Sequence, residues 1–578
     1  MFITSTILAT SLITTDLRIE QVLPDNTIAV MSVGDVSQLA EHFKNLGVCD
    51  AVCETVQAMK GDQESCQITQ FCTQFEGVIG DEGEISIPTG HAGMGVYPVV
   101  DFEVGSVGLG ALLLLEVGDS NIGQALSKMC SEQASAMELA LEQVDISGRD
   151  VWMIPNDLGP IVSQMPIPID LSSMSQLYFT YADGYMALGT EPDAFASLFS
   201  LIDGEELEDT LEENEQYIEL MNRCGTDGDL HGAVLLTNLA DTFVQMDTSG
   251  MGMMILPMLK SIIGDIDGFA QAVSLSPSED TILSGKYAIL MGEGRNGFMS
   301  LIGSNSPKVD IPAFVGEDTI SYTQTQVKYD EIAPLVQEIT TANPLLSMQM
   351  NPQLIDQLQA GITMFTSTLG TETHVISSGS LPYSYDNYGH LIAVECVQEE
   401  QLSNALGMML PTMGATPRDF LGNQIFTVEL GSSMMIPMPI NLSFSIAVGG
   451  GYAFFGNSNS VENALRSIAN PKENKSNHGR HRTATIRYNG DVSGWGYGDP
   501  LTSLMIQTEM AKDLNDAMFA RMEEFDPEMA EEMRADAEGA NAIQDAIVKS
   551  MSLFLGPMSW NMSTDDTGFT SEIIMVKP

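Results

Sequence analysis

The sequence predicts an α+β fold of two tandem repeats, each a large, mostly antiparallel sheet with helices packed on one face. Three observations carry this expectation. First, short segments recur in a common order. Gly-Tyr-Met-Ala-Leu-Gly (184–189) and Gly-Tyr-Ala-Phe-Phe-Gly (451–456) each run into a helix-like stretch. Upstream of them, Ile-Pro-Ile-Asp-Leu-Ser (167–172) answers Met-Pro-Ile-Asn-Leu-Ser (438–443). Matched positions lie about 260–290 residues apart, a domain-sized spacing rather than a solenoid period. Second, Ala182-Asp183-Gly184-Tyr185 and Gly449-Gly450-Gly451 suit tight hairpins, which implies antiparallel neighbours. Third, helical patterns punctuate pairs of strands rather than single strands, the pattern of α+β rather than α/β chains.

The elements follow in order. Leu23 to Val33 reads as a strand that stops at a Gly-Asp turn, and Gln38 to Phe43 as the start of an amphipathic helix. Gly110 to Val117 is a second strand, followed by a helix over Ile122 to Leu141. Val151 to Ile154 and Leu177 to Leu188 read as strands, the latter folding back at Asp183-Gly184. Helices at Pro192 to Leu201 and Leu211 to Met221 precede a strand at Gly232 to Thr237 and an antiparallel pair at Gly268 to Leu275 and Ser284 to Met291. In the second half, Asp318 to Thr325 answers Asn26 to Val33, and Gly389 to Glu395 answers Gly110 to Glu116. Thr564 to Thr570 answers Ser278 to Ser284. Met510 to Asp545 reads as one or two acidic helices, with Asp526-Pro527 a break.

These elements divide the chain into a candidate signal peptide (1–15), a first repeat (16–310) and a second repeat (311–578). The first repeat carries a Cys-rich helical insertion (45–80), and the second a mobile basic loop (471–483). Residues 2–13 are an apolar run of signal-peptide length without a preceding Lys or Arg. A first strand is the other reading of that run. The opening Leu-Pro-Asp-Asn-Thr-Ile-Ala-Val-Met-Ser-Val-Gly-Asp-Val-Ser (23–37) resembles a loose group of large exported bacterial proteins of unknown function. Their mature chains begin with a Leu-Pro-x-Asp-Thr strand and an Asp-helix step. The resemblance implies an extracytoplasmic (periplasmic or secreted) protein and transfers no catalytic residue.

Composition narrows the function classes. The 578 residues include 78 acids against 23 bases, a formal net charge of -55. Such a surface repels phosphate backbones and anionic headgroups, so nucleic acid is not an expected partner. No later apolar run reaches the length of a membrane-spanning helix. Four of seven cysteines, Cys49, Cys53, Cys66 and Cys72, crowd into one segment. Two helices folding back at Gly61-Asp62 could be stapled as Cys49–Cys72 and Cys53–Cys66, which fits an exported protein. Buried free thiols and a metal site are the alternatives.

Catalytic signatures are missing from the sequence. It has no nucleophile elbow, zinc-protease helix, P-loop or kinase set. Gly292-Glu-Gly-Arg-Asn-Gly297 matches a dinucleotide-binding pattern but is not followed by a helix, so a hairpin turn is expected there. Asp227, Asp229, Asp265 and Asp267 complete no EF-hand and read as turn residues. The 37 methionines cluster at Met251 to Met258 and Met408 to Met438, as core filler, a soft copper site or an apolar groove. No cofactor is expected. The expectation is a non-enzymatic exported structural or binding protein of the cell envelope. Its partner would be an unknown protein or an apolar ligand. A carrier with an apolar cavity between sheet and helices is the alternative, and an unrecognised hydrolase a third.

Overall fold

The computed structural model describes residues 17–46, 90–101, 106–118, 142–155, 176–247, 250–292, 294–303, 311–342, 352–384, 387–429, 443–470, 492–524 and 526–578. Strands in the first half are β1 (Ala29–Val33), β2 (Ala92–Asp101), β3 (Ser106–Glu116), β4 (Glu142–Ile146) and β5 (Arg149–Pro155), then β6 (Gln176–Ala182), β7 (Tyr185–Gly189), β8 (Leu230–Leu235), β9 (Gly268–Ser278) and β10 (Thr281–Leu290). The second half adds β11 (Thr319–Gln326), β12 (Leu369–Gly379), β13 (Tyr388–Cys396), β14 (Thr416–Phe420) and β15 (Asn423–Glu429), then β16 (Ser443–Gly449), β17 (Tyr452–Gly456), β18 (Gly494–Gly498), β19 (Met558–Asp565) and β20 (Gly568–Val576). The helices are α1 (Ile19–Val22), α2 (Val36–Asn45), α3 (Pro192–Ile202), α4 (Glu215–Cys224), α5 (Leu236–Met246) and α6 (Gly252–Ile263), then α7 (Ile332–Ala342), α8 (Pro352–Thr366), α9 (Glu399–Met409), α10 (Ser458–Ala469), α11 (Pro500–Glu523) and α12 (Pro527–Met551).

All described strands join one antiparallel sheet of 20 strands. The pairings run β4-β5-β6-β7-β3-β2-β1-β8-β9-β10 in the first half. They run β14-β15-β16-β17-β13-β12-β11-β18-β19-β20 in the second, the same order of elements. The two runs meet where β10 pairs with β20. Registers match as well. Leu112 lies opposite Gly189 and Leu391 opposite Gly456, while Val30 faces Ala233 and Tyr322 faces Tyr497.

Local chemistry explains the element ends. The turn between β6 and β7 places Asp183 at φ 51° and Gly184 at φ 88°, left-handed positions that Gly and Asp tolerate and a type I′ hairpin needs. The side chains of Asn214, Asn457, Asp499 and Asp526 each accept a backbone N–H in the first turn of α4, α10, α11 and α12. Pro500 and Pro527 occupy first helical positions, where the missing N–H costs nothing, so the expected break at Asp526-Pro527 is a helix start.

Helices do not all lie on one face, as the sequence reading expected. In the second half, Ile425, Ala447, Phe454, Val461 and Leu465 form one core with α10. Their strand neighbours Phe426, Val448 and Ala453 form another with Leu402 and Leu406 of α9. Adjacent strand residues point to opposite faces, so α9 and α10 cover opposite sides of β15–β17. The signal was available: Ile425-Phe426, Ala447-Val448 and Ala453-Phe454 are apolar on both faces, as strands buried on two sides must be. Among the described residues the first half has one core, including Leu23, Leu112, Phe195, Phe199, Leu211 and Leu220.

Candidate functional site

A cleft of about 330 Å³ opens between α10, the inner face of β12 and β13, and the turn-rich segment 311–318 that leads into β11. Its floor is apolar, from Phe314, Ile376 and Leu391. Its walls are polar. Asp318 and Thr319 come from the start of β11, Ser378 from β12, and Ser460, Asn463, Ser467 and Asn470 from α10. The helical residues recur every three or four positions, so they share one stripe. Glu462 and Arg466 sit on the flank. Arg466 donates to Glu462 Oε2 at 3.0 Å and Asn463 Oδ1 at 3.2 Å, and its guanidinium lies 5.1 Å from the Phe420 ring centre. Arg466 lines the cleft and shares the Glu462 carboxylate with Arg418. Thr319 Oγ1 is buried and makes no hydrogen bond.

Corresponding positions of the first half explain why the cleft exists. Ser378 lies opposite Gly389 as Tyr97 lies opposite Gly110. Tyr97 is a buried aromatic whose hydroxyl pKa is pushed up by burial, and its ring fills the space that Ser378 leaves open. On the helices, the buried residues Phe195, Leu198 and Phe199 of α3 have the spacing of Val461, Ala464 and Leu465 of α10. Three large side chains stand against three smaller ones. The first half is also closed by α1 and the residue that follows it: Ile19 and Leu23 pack where a Cβ on Gly93 or Gly95 would overlap them. The equivalent segment 311–318 forms turns and no helix.

Two buried polar clusters brace the sheet near these places. In the first half, Ser32 of β1 faces His231 of β8, and both meet Glu20 of α1. Glu20 Oε1 accepts from Ser32 Oγ and from the Tyr217 hydroxyl at 3.2 Å, and stands 3.3 Å from His231 Nε2. Burial pushes the Glu20 pKa up, but hydrogen bonds from His231 and Ser32 outweigh it and hold the carboxyl at about 2. At the same register in the second half, Trp495 Nε1 donates to Gln324 Oε1 at 2.7 Å. Nearby, the Tyr322 hydroxyl bonds His374 Nδ1 at 2.9 Å. His374 Nε2 is 2.8 Å from Glu372 Oε1 but poorly aligned for a hydrogen bond. Serine, carboxylate and imidazole meet in the first cluster, yet Ser32 bonds the carboxylate rather than the imidazole. That arrangement holds a charge and does not activate a nucleophile.

The sequence-predicted residues fare variously. Cys49, Cys53, Cys66 and Cys72 lie outside the described residues, as do the candidate signal peptide and the basic loop 471–483. Cys224 and Cys396 are buried free thiols, and burial pushes Cys224 up to about 11, so both are unreactive packing residues. Asp229 is a structural acceptor for the Leu275 N–H at 2.6 Å and lies 3.2 Å from His42 Nδ1. Asp265 pairs with Lys260 at 2.6 Å. The glycine pattern 292–297 is not the expected hairpin. It turns into a 3-10 segment (Gly297–Leu301), because β10 already has β9 and β20 on its two sides. Met251, Met253, Met408, Met409 and Met413 are exposed rather than core filler.

Among the described residues no group of His, Cys, Asp and Glu could hold a metal ion, and no helix is long and apolar enough to cross a membrane. A Ser377–His390 contact of 3.1 Å lies on the opposite face from the cleft, and burial lowers the His390 pKa. An apolar trough of about 370 Å³ runs over Met31, Met94, Phe269 and Tyr287. Its walls are strands only, so it is not the sheet–helix cavity that the carrier reading expects. Sequence reasoning missed Asp318, Ser378, Ser460, Asn463 and Asn470. The one signal in the chain was the small polar stripe of α10 beside a charged flank.

No known protein family matches this chain, and neither a curated protein nor a solved structure does.

Proposed function

We propose that this chain is an exported, non-enzymatic binding protein built by internal duplication, and that the second-half cleft is where it binds. The duplication is supported by the shared strand order and by matched registers such as Leu112–Gly189 and Leu391–Gly456. Export rests on the apolar run 2–13 and on the resemblance of residues 23–37. The binding reading is carried by one observation. Positions filled by Tyr97 and Leu198 in the first half carry Ser378 and Ala464 in the second, and the space they vacate is a walled cleft. A vacated core position that serves only packing would be refilled by an apolar neighbour, because an empty cavity destabilises in proportion to its volume. Here hydroxyls, amides and a carboxylate face it instead. These are groups that hold a ligand, and among the described residues no hydrogen bond joins the Asp318 carboxylate to a serine or threonine hydroxyl that it could activate.

The test uses the first half's own solution. Ser378→Tyr combined with Ala464→Leu is expected to fill the cleft and raise stability by about 1 kcal/mol, as cavity filling commonly does. The same variant should lose binding of whatever small molecule native mass spectrometry or a fragment screen finds on the full chain. Stabilisation with loss of binding is the signature of a site kept open for function. A stabilised variant that still binds every hit would place the binding elsewhere and end this reading.

A further inference from the structure

Resting on that binding reading, we propose that the ligand of the cleft is a neutral, polyhydroxylated small molecule of monosaccharide size. The polar groups that face the space are of complementary kinds. Asp318 can only accept hydrogen bonds, and among the described residues none is recorded to its carboxylate. Ser378 can donate or accept, and Asn463 and Asn470 each offer one group of each kind. Thr319 Oγ1 is closed off from the cleft, so Asp318, Ser378 and the polar stripe of α10 are the groups a ligand meets. A sugar-like hydroxyl both gives and takes, so one ring could serve the carboxylate and the hydroxyls together. The C–H face of such a ring would meet the apolar floor of Ile376 and Leu391.

Charge argues against the alternatives. Among the described lining residues the cleft carries one carboxylate, Asp318, and one guanidinium, Arg466, which shares Glu462 with Arg418, so its charges balance and favour a neutral ligand. The net charge of -55 disfavours an anionic one further. One carboxylate without an imidazole or thiolate is too few ligands for a divalent ion. The cleft volume of about 330 Å³ fits the small end of small-molecule sites.

The experiment is saturation-transfer NMR with titration calorimetry on the full chain. The probes are glucose, galactose, mannose, xylose, N-acetylglucosamine and myo-inositol, with glucuronate and glucosamine as charged controls. At least one neutral probe should bind saturably, and glucuronate should bind about tenfold more weakly than its neutral parent. Asp318→Asn should weaken the neutral probe about tenfold, the loss of one charge-assisted hydrogen bond. Ser378→Ala should also weaken it, with little change in thermal unfolding, since Ser378 is only half-buried and faces the cleft. Unchanged binding in both variants overturns the assignment. A cleft that takes glucosamine or an unrelated fragment but no neutral probe overturns the ligand class and leaves the binding reading standing. A cleft that takes nothing at all removes both.

Discussion

Glu20→Gln is expected to lower stability by about 3 kcal/mol at pH 7, and the deficit should shrink as the solution is acidified. Glutamine keeps an acceptor for Ser32, Tyr217 and His231 but sets an amide NH2 where Oε2 is buried without a partner, so the pH-dependent part of the deficit is what reports the charge. The carboxyl is held at about 2 against an ordinary 4.5. That drop corresponds to about 3 kcal/mol at about 1.4 kcal/mol per pKa unit. Because the folded pKa is depressed, the contribution is complete above pH 4.5 and is lost as pH falls through about 2. Urea midpoints of the two proteins measured from pH 7 down to pH 3 decide the matter. A gap that stays constant over that range would mean that the ionised carboxylate is not what Ser32 and His231 stabilise.

Gly568→Val is expected to be more damaging still, at about 4 kcal/mol, the sum of left-handed backbone strain and a clash with main chain. Gly568 pairs with Leu290 at the junction of β10 and β20, the seam where the two halves share a sheet. Its φ is 152°, and a Cβ there would overlap the carbonyl oxygen of Ile289. Backbone cannot move aside as a side chain can. By contrast Arg223→Ala should cost about 1–2 kcal/mol: its side chain is largely covered, but its partners Glu219 and Asp565 are half exposed and return to water when it is lost. Yet Arg223 also bridges the halves, from α4 to Asp565 and Thr567 of the β19–β20 turn. Amide hydrogen exchange along β10 and β20 is the readout. Lost protection in Gly568→Val with near-native protection in Arg223→Ala would show that the seam is a backbone ladder. Equal effects would contradict that account.

Much of the secondary structure was legible because its causes are local. The Asp183-Gly184 turn and the Asp526-Pro527 break each need only a few neighbouring residues, whereas the caps at Asn214 and Asp499 were passed over and those helices start at Glu215 and Pro500 rather than at Leu211 and Met510. The recurring Gly-Tyr-x-x-x-Gly segments correctly marked β7 and β17, since a strand ending on glycine before a cap is written in sequence order. The placement of helices on a single face was misread. Face is set by alternation across several strands, and the doubly apolar pairs of β15–β17 have meaning only once those strands lie side by side.

What the sequence determined by itself was the inventory: an α+β chain, antiparallel strands, turn positions, and an acidity that repels anionic partners. These follow from composition and from short-range periodicity. Only the tertiary structure decided that the 20 described strands form one sheet through the β10–β20 seam, and that Glu20 meets His231. It alone brought Asp318, Ser378 and Asn470 around one cleft. The reason is distance along the chain. Those side chains are separated by tens to hundreds of residues, and nothing in a local pattern records which of them a sheet will bring together. The cleft itself depends on a difference of volume between Tyr97 and Ser378, which acquires a location only when the strands are paired.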